Sequence, residues 1–158
     1  DEAVAGQPAA QEEMVFTAPP VAKEIVGSVP VEKSINLAQA KHIVSFGRGL
    51  AKREDMTMVE KLAGAFGAEI GCSRPIAEEL KWLSSEHQVG ITGALVKPDL
   101  YLALGISGQV QHFAGMKGSK IIVAVNSNKQ APIFQFADYG IVGDIYKVVP
   151  ALLDAMQA

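Results

Sequence analysis

Apolar residues along this chain fall into short runs parted by turns of Gly, Pro, Ser and Asn. His42 to Phe46, Tyr101 to Leu104 and Ile121 to Val125 are almost unbroken apolar stretches, the pattern of strands buried on both faces of a parallel sheet. Ala68 to Cys72 reads as another strand and His87 to Val89 as a shorter one, while Pro132 to Phe136 and Tyr139 to Val142 are further short apolar segments. Met56, Val59, Leu62, Ala63 and Phe66 recur at three- and four-residue spacing, which predicts an amphipathic helix over Glu54 to Phe66 with Gly67 as its C-cap. A helix is also expected near Ile76 to Leu83, and another begins after Gly108. Gly143-Asp144 opens a C-terminal helix that Pro150 should interrupt, the chain restarting with Pro150 at a first helical position.

About six strands alternating with helices predict an α/β fold: a three-layer sandwich with a mostly parallel sheet, Rossmann-like, and helices on both faces. That domain is expected over residues 40–158. Residues 1–13 have the composition of a flexible tail or linker. Residues 14–39, punctuated by Pro19, Pro20 and Pro30, read as an extended connection to a missing N-terminal domain or as a simple N-terminal strand. Of the 158 residues, 49% are hydrophobic and 20% charged, an ordinary globular composition. A net charge of −3 argues against a nucleic-acid partner, since phosphate neutralisation needs a basic face. No apolar run reaches the roughly 18–20 residues of a membrane span. The start, Asp1-Glu2-Ala3-Val4, lacks the charged-then-apolar pattern of a signal or transit peptide. The single cysteine, Cys72, forms no internal disulfide; it suits a reducing compartment and reads as a buried structural thiol.

Several strands end in a small or polar turn: Gly47-Arg48-Gly49, Ser73-Arg74-Pro75, Gly105-Ile106-Ser107-Gly108 and Asn126-Ser127-Asn128. In a parallel sheet these turns converge on one rim, where open α/β sheets bind ligands. The stretch Leu100 to Asn126 is the centre of the arrangement, because N–H groups at its strand-to-helix turn can hold an anion without a charged side chain. Arginines, hydroxyls, amides and His112 along a long groove suit a dinucleotide. Gly47-Arg48-Gly49 begins like a nicotinamide-dinucleotide fingerprint, with Glu69 as a possible ribose acid, but Lys52 stands at the third glycine. A nicotinamide-dependent oxidoreductase domain is therefore the alternative reading. Ser107 resembles a hydrolase nucleophile elbow with its second glycine one position early and no Asp placed to orient His112. A helix-capping Ser is the plain reading. Arg74 is either a surface ion-pair residue or a ligand arginine held by Pro75. His42 and His87 read as surface residues, Trp82 and the remaining Phe and Tyr residues as core, and no histidines have metal-ligand spacing.

The segments Gly47 to Leu50, Gly71-Cys72-Ser73-Arg74-Pro75, Val89 to Gly93, Leu100 to Met116, Ala131 to Phe134 and Ala137 to Asp144 together resemble the FAD domain of electron-transfer flavoprotein alpha subunits. The wording Gly-Cys-Ser-Arg-Pro-Ile-Ala-Glu is similar to the bacterial branch associated with carnitine and nitrogen-fixation electron transfer. The resemblance implies a deoxyhypusine-synthase-like NAD/FAD-binding domain with FAD held non-covalently and extended. Thr92 would then face the N5 edge of the isoalloxazine, within a loop of Val89, Gly90 and Ile91. Arg74 would lie over the ring, and His112 would reach the N1–C2=O side. Ser107, Gly108, Gln109, Val110 and Gln111 would cradle the phosphates and ribityl chain, helped by Arg48 and Ser73. Asn126, Asp144 and Ile145 would take the adenosine portion. Ile91 stands where many relatives have Gln, so a hydrogen bond to the ring edge would be lost. Arg74 and His112 would raise the flavin potential. No catalytic residue and no metal are implied, and the protein would be an electron carrier rather than an enzyme. Its partners would be the beta subunit of the flavoprotein, an acyl-CoA-type or other dehydrogenase, and a downstream quinone or ferredoxin-linked acceptor. The expected location is the bacterial cytoplasm, or the mitochondrial matrix in a eukaryote.

Overall fold

The computed structural model describes residues 35–157; the expected tail at 1–13 and most of the connection at 14–39 lie outside the described residues. Five strands, β1 (His42–Phe46), β2 (Glu69–Cys72), β3 (Leu100–Leu104), β4 (Ile121–Asn126) and β5 (Tyr139–Val142), form one sheet in the order β2-β1-β3-β4-β5. Every pairing is parallel, with Phe46 opposite Leu104 and Leu104 opposite Val125 in the centre. The last four residues of β1 and of β3 are buried, which is why they are apolar without alternation.

The helices α1 (Met56–Phe66) and α3 (Ile145–Gln157) share one face of the sheet through Val59, Leu62, Ile145 and Val149, set against Val44, Phe46, Leu102 and Leu104. The other face carries α2 (Val110–Met116), closing over Ile43, Tyr101, Ala103 and Ala124. A 3-10 turn at Leu37–Gln39 puts Leu37 into that second core. Gly67 ends α1 in the left-handed conformation, its N–H returned to the carbonyls of Ala63 and Gly64.

Four expectations are corrected. The helix near Ile76 to Leu83 is a single wide turn at Pro75–Glu79. Leu80 N–H reaches the Pro75 carbonyl, and Lys81 at φ 51 turns the chain away. His87 to Val89 is not a strand: Gln88 and Val89 make isolated bridges to Cys72 and Ala94, because the chain doubles back and Ala94 N–H donates to the Gln88 carbonyl at 2.7 Å. Pro132–Gln135 is a 3-10 turn, so the sheet has five strands where about six were expected. Pro150 lies inside an unbroken α3 on its exposed side, where water can take the carbonyl that its missing N–H leaves free. Two tyrosines also leave the expected core. Tyr139 is on the edge strand β5, and Tyr146 is a surface staple that accepts from Ala51 N–H and donates to Asp55.

Candidate functional site

The strand order reverses direction between β1 and β3, and the turns that follow these two strands leave the sheet side by side. Backbone touches backbone there. A Cβ added to Gly49 would sit 2.5 Å from the Gly105 Cα, and Gly49 N–H donates to the Gly105 carbonyl at 3.1 Å. The glycines of Gly47-Arg48-Gly49 are thus accounted for by this contact. No helix opens directly on them either, since α1 starts at Met56, so the nicotinamide fingerprint has no structural context here.

A cavity of about 780 Å³ opens above this junction, within the usual range of small-molecule sites. It gathers Arg48 after β1, Ser73 and Arg74 after β2, Val89 to Thr92, then Ser107, Gln109, Gln111 and His112 after β3. Asn126 and the pair Asp144–Ile145 close the far end. Two of the expected residues do not line it. Gly108, at φ 84, is pressed against Ile133, where a Cβ would lie 2.4 Å from backbone, and Val110 points outward as an exposed side chain. Among the described residues, no carbonyl or side chain receives the N–H groups of Ser107 to Gln111, so this loop offers a row of free donors.

Each wall has its own support. Gln88, missed from sequence because its neighbours read as a strand, is buried and donates its side-chain N–H to Thr92 Oγ1 at 2.8 Å. Thr92, which lines the cavity, thus accepts there and keeps its own proton free to donate. Helix α2 lies so close to this loop that a Cβ on Gly115 would be 2.4 Å from Gly90 N, and Ile91 N–H donates to the Gln111 carbonyl. Arg74 is exposed and paired through Nε with Glu78 Oε2 at 2.6 Å; Glu78 and Glu79 also line the cavity and were not foreseen. Asn126 donates to the Ile106 carbonyl and accepts from Asn128 N–H, while Asp144 accepts from Tyr146 N–H.

His112 is the most constrained group. It is 7% exposed, and its Nε2 lies 2.9 Å from the hydroxyl of Tyr101, which is completely buried. Its Nδ1 is sealed from solvent and closes no hydrogen bond, although the Val89 backbone lies beside the ring. Burial lowers the His112 pKa from 6.5 to about 4, with the Val89 backbone opposing the shift, so the ring is neutral at pH 7. His112 can therefore serve there as a neutral donor or acceptor and not as a fixed charge. Outside the cavity, His42 and His87 are half-buried and donate to the carbonyls of Phe66 and Ile70. Burial pushes the Cys72 thiol up to about 12, the inert state of a structural cysteine. Among the described residues no cluster of His, Cys, Asp and Glu could hold a metal ion, and no helix is long and apolar enough to cross a membrane.

A parallel sheet with a polar trough at its switch point defines a Rossmann-like α/β domain of the nucleotide-binding kind. A family model described as the electron transfer flavoprotein FAD-binding domain of the alpha subunit matches residues 36–117. The chain belongs to this electron-transfer flavoprotein alpha family. It is 57% identical over 123 residues to YdiR of Escherichia coli K12, named as an electron transfer flavoprotein subunit, over 78% of this chain and 39% of that one. It is 52% and 53% identical, with the same coverage, to Protein FixB from Escherichia coli strains E24377A and E2348/69. The chain therefore spans 39% of the length of these relatives. Among solved structures, a chain described as a thiamin diphosphate-dependent enzyme from Mycobacterium smegmatis aligns over 75% of this chain and 25% of its own. Its TM-score is 0.45 at 13% identity, and that likeness carries no argument.

Proposed function

We propose that this chain is the FAD-binding part of an electron-transfer flavoprotein alpha subunit and holds FAD non-covalently along the trough. The observation that carries the reading is the pairing of the buried His112 Nδ1, which closes no hydrogen bond, with the unpaired N–H groups of the loop that brings Ser107, Gln109 and Gln111 to the same cavity. The first suits the N1–C2=O edge of a flavin and the second suits a diphosphate. FAD, when bound, supplies the redox chemistry.

This chain's residues bind and tune. Thr92, fixed by Gln88, turns its hydroxyl proton toward the N5 edge. Arg74 would lie over the ring with Arg48 and Ser73 beside the phosphates, while Gly108 and Val110, which do not line the cavity, are left out of the contact set. Val89, Gly90 and Ile91 form the strip along the ring, and Asn126, Asp144 and Ile145 face the adenosine end. No side chain has to move a proton to or from a substrate, as befits a carrier between a dehydrogenase, of the acyl-CoA type or another, and a quinone- or ferredoxin-linked acceptor. The remaining partner is the beta subunit of the flavoprotein. We place its work in the bacterial cytoplasm, a reading supported only by the relatives' being bacterial.

The test is a visible spectrum of the 158-residue chain, alone and with a beta subunit, before and after addition of FAD, with chromatography of released cofactor. Flavin absorbance that stays with the protein is expected. Colourless protein under both conditions, with tighter binding of NAD than of FAD, would overturn the reading.

A further inference from the structure

Tyr101 is the second residue of β3 with its side chain in the second core, and nothing about an apolar strand requires a hydroxyl there. That hydroxyl is completely buried, and its one hydrogen bond among the described residues is to His112 Nε2 at 2.9 Å. Burial pushes its pKa up, so the proton stays on the oxygen. The Ser45 hydroxyl, also buried, lies near enough to oppose that shift yet closes no hydrogen bond of its own.

A neutral imidazole has one N–H and one lone pair, and two arrangements satisfy the Tyr101–His112 contact. If Tyr101 donates, Nε2 accepts and the proton of His112 is on Nδ1, a buried donor beside the Val89 backbone. If His112 donates from Nε2, the tyrosine proton and the Nδ1 lone pair are both left without partners, because Ser45 does not take the former. One buried orphan costs less than two. We propose that Tyr101 is a positioning residue: its hydroxyl donates to Nε2, holds His112 in the Nδ1–H form, and so aims a neutral donor at the ligand. This rests on the flavin reading for the ligand's identity, since the donor then meets the electron-rich N1–C2=O edge. The aim of the ring itself rests on this chain alone.

The experiment uses the 158-residue chain without added FAD, labelled with ¹⁵N at histidine. Long-range ¹H–¹⁵N correlation at neutral pH reads whether each ring nitrogen is protonated, and the His112 signals are assigned by their loss in His112→Gln. The parent should show a protonated Nδ1 and a bare Nε2 at His112. Tyr101→Phe keeps the shape of the core and should lose that preference, with protonated Nε2 appearing. A parent with protonated Nε2, or a Phe variant with an unchanged tautomer, overturns the proposal. Titration of both proteins with FAD should show binding about tenfold weaker in Tyr101→Phe, the worth of one hydrogen bond. Equal affinity would overturn the positioning role, whereas a parent with the expected tautomer that takes up no FAD would overturn the flavin reading alone.

Discussion

Replacing Glu78 by Gln removes the carboxylate that lies 2.6 Å from Arg74 Nε while leaving a side chain of the same shape. Replacing Arg74 by Ala removes the cation instead. The two changes test whether charge at this rim sets the flavin potential, because they predict opposite signs. The pair is well solvated, with side chains 65% and 42% exposed, so the interaction between them is worth no more than ~1 kcal/mol. Were the Arg74 cation to stand ~6 Å from a bound ring at an effective dielectric of ~40, Coulomb's law would give about 1.4 kcal/mol of preference for the reduced, more negative ligand. For one electron that is about 60 mV. Glu78, nearby and opposite in sign, cancels part of it. Arg74→Ala should therefore lower the midpoint potential by ~30–60 mV and weaken FAD binding, while Glu78→Gln should raise the potential by ~10–30 mV. Spectroelectrochemical titration of the FAD-loaded proteins reads both. If Glu78→Gln leaves the potential unchanged or lowers it, the electrostatic argument is wrong, and any loss in Arg74→Ala reflects damage to the turn.

Three further outcomes follow from packing and titration. Gly115→Ala should destabilise the fold by about 1–3 kcal/mol in urea unfolding despite a gain of up to ~1 kcal/mol in helix propensity, because the new Cβ would press on the Gly90 backbone; a change below ~0.5 kcal/mol would contradict the contact. Because the His112 pKa falls from 6.5 unfolded to about 4 folded, the unfolded chain binds the extra proton first, so stability present above pH 6.5 is lost as pH drops toward 4. The loss should be on the order of 3 kcal/mol and should vanish from the pH profile of His112→Gln; parallel profiles would refute it. Cys72 should stay unmodified by thiol reagents at pH 8 in the folded chain and react fully once unfolded, and rapid labelling of the native protein would show that the thiol is not sealed.

Much of the fold was legible because β1, β3 and β4 are buried on both faces and cannot hide their apolar character. The turn after Pro75 was not, since Ile76 and Ala77 are buried in the helix-like pattern while the positive φ at Lys81, which stops it, has no glycine to announce it. Gln88 was misplaced because its neighbours looked like a strand, whereas the reversal at Gly93 is what turns its amide toward Thr92. Turns at strand ends pointed to Arg74 and to the loop before His112, and the family resemblance added Thr92; all three line one cavity. The rule is blind to Tyr101, whose aromatic ring satisfies the apolar pattern and conceals its hydroxyl, and to Glu78, whose helical spacing from Arg74 is that of any solvated ion pair.

The meeting of Gly49 and Gly105 divides the site into parts with different freedom to change. The base of the trough is main chain laid on main chain, so even a methyl group added there would prise the two central strands apart. The rim is made of exposed side chains on loops, Ile91, Arg74 and Glu78 among them, and none of these three packs into the glycine contact beneath. On the flavin reading, the rim is where the potential would be tuned, and a designer wanting a different one should leave the glycines untouched and work on the edge.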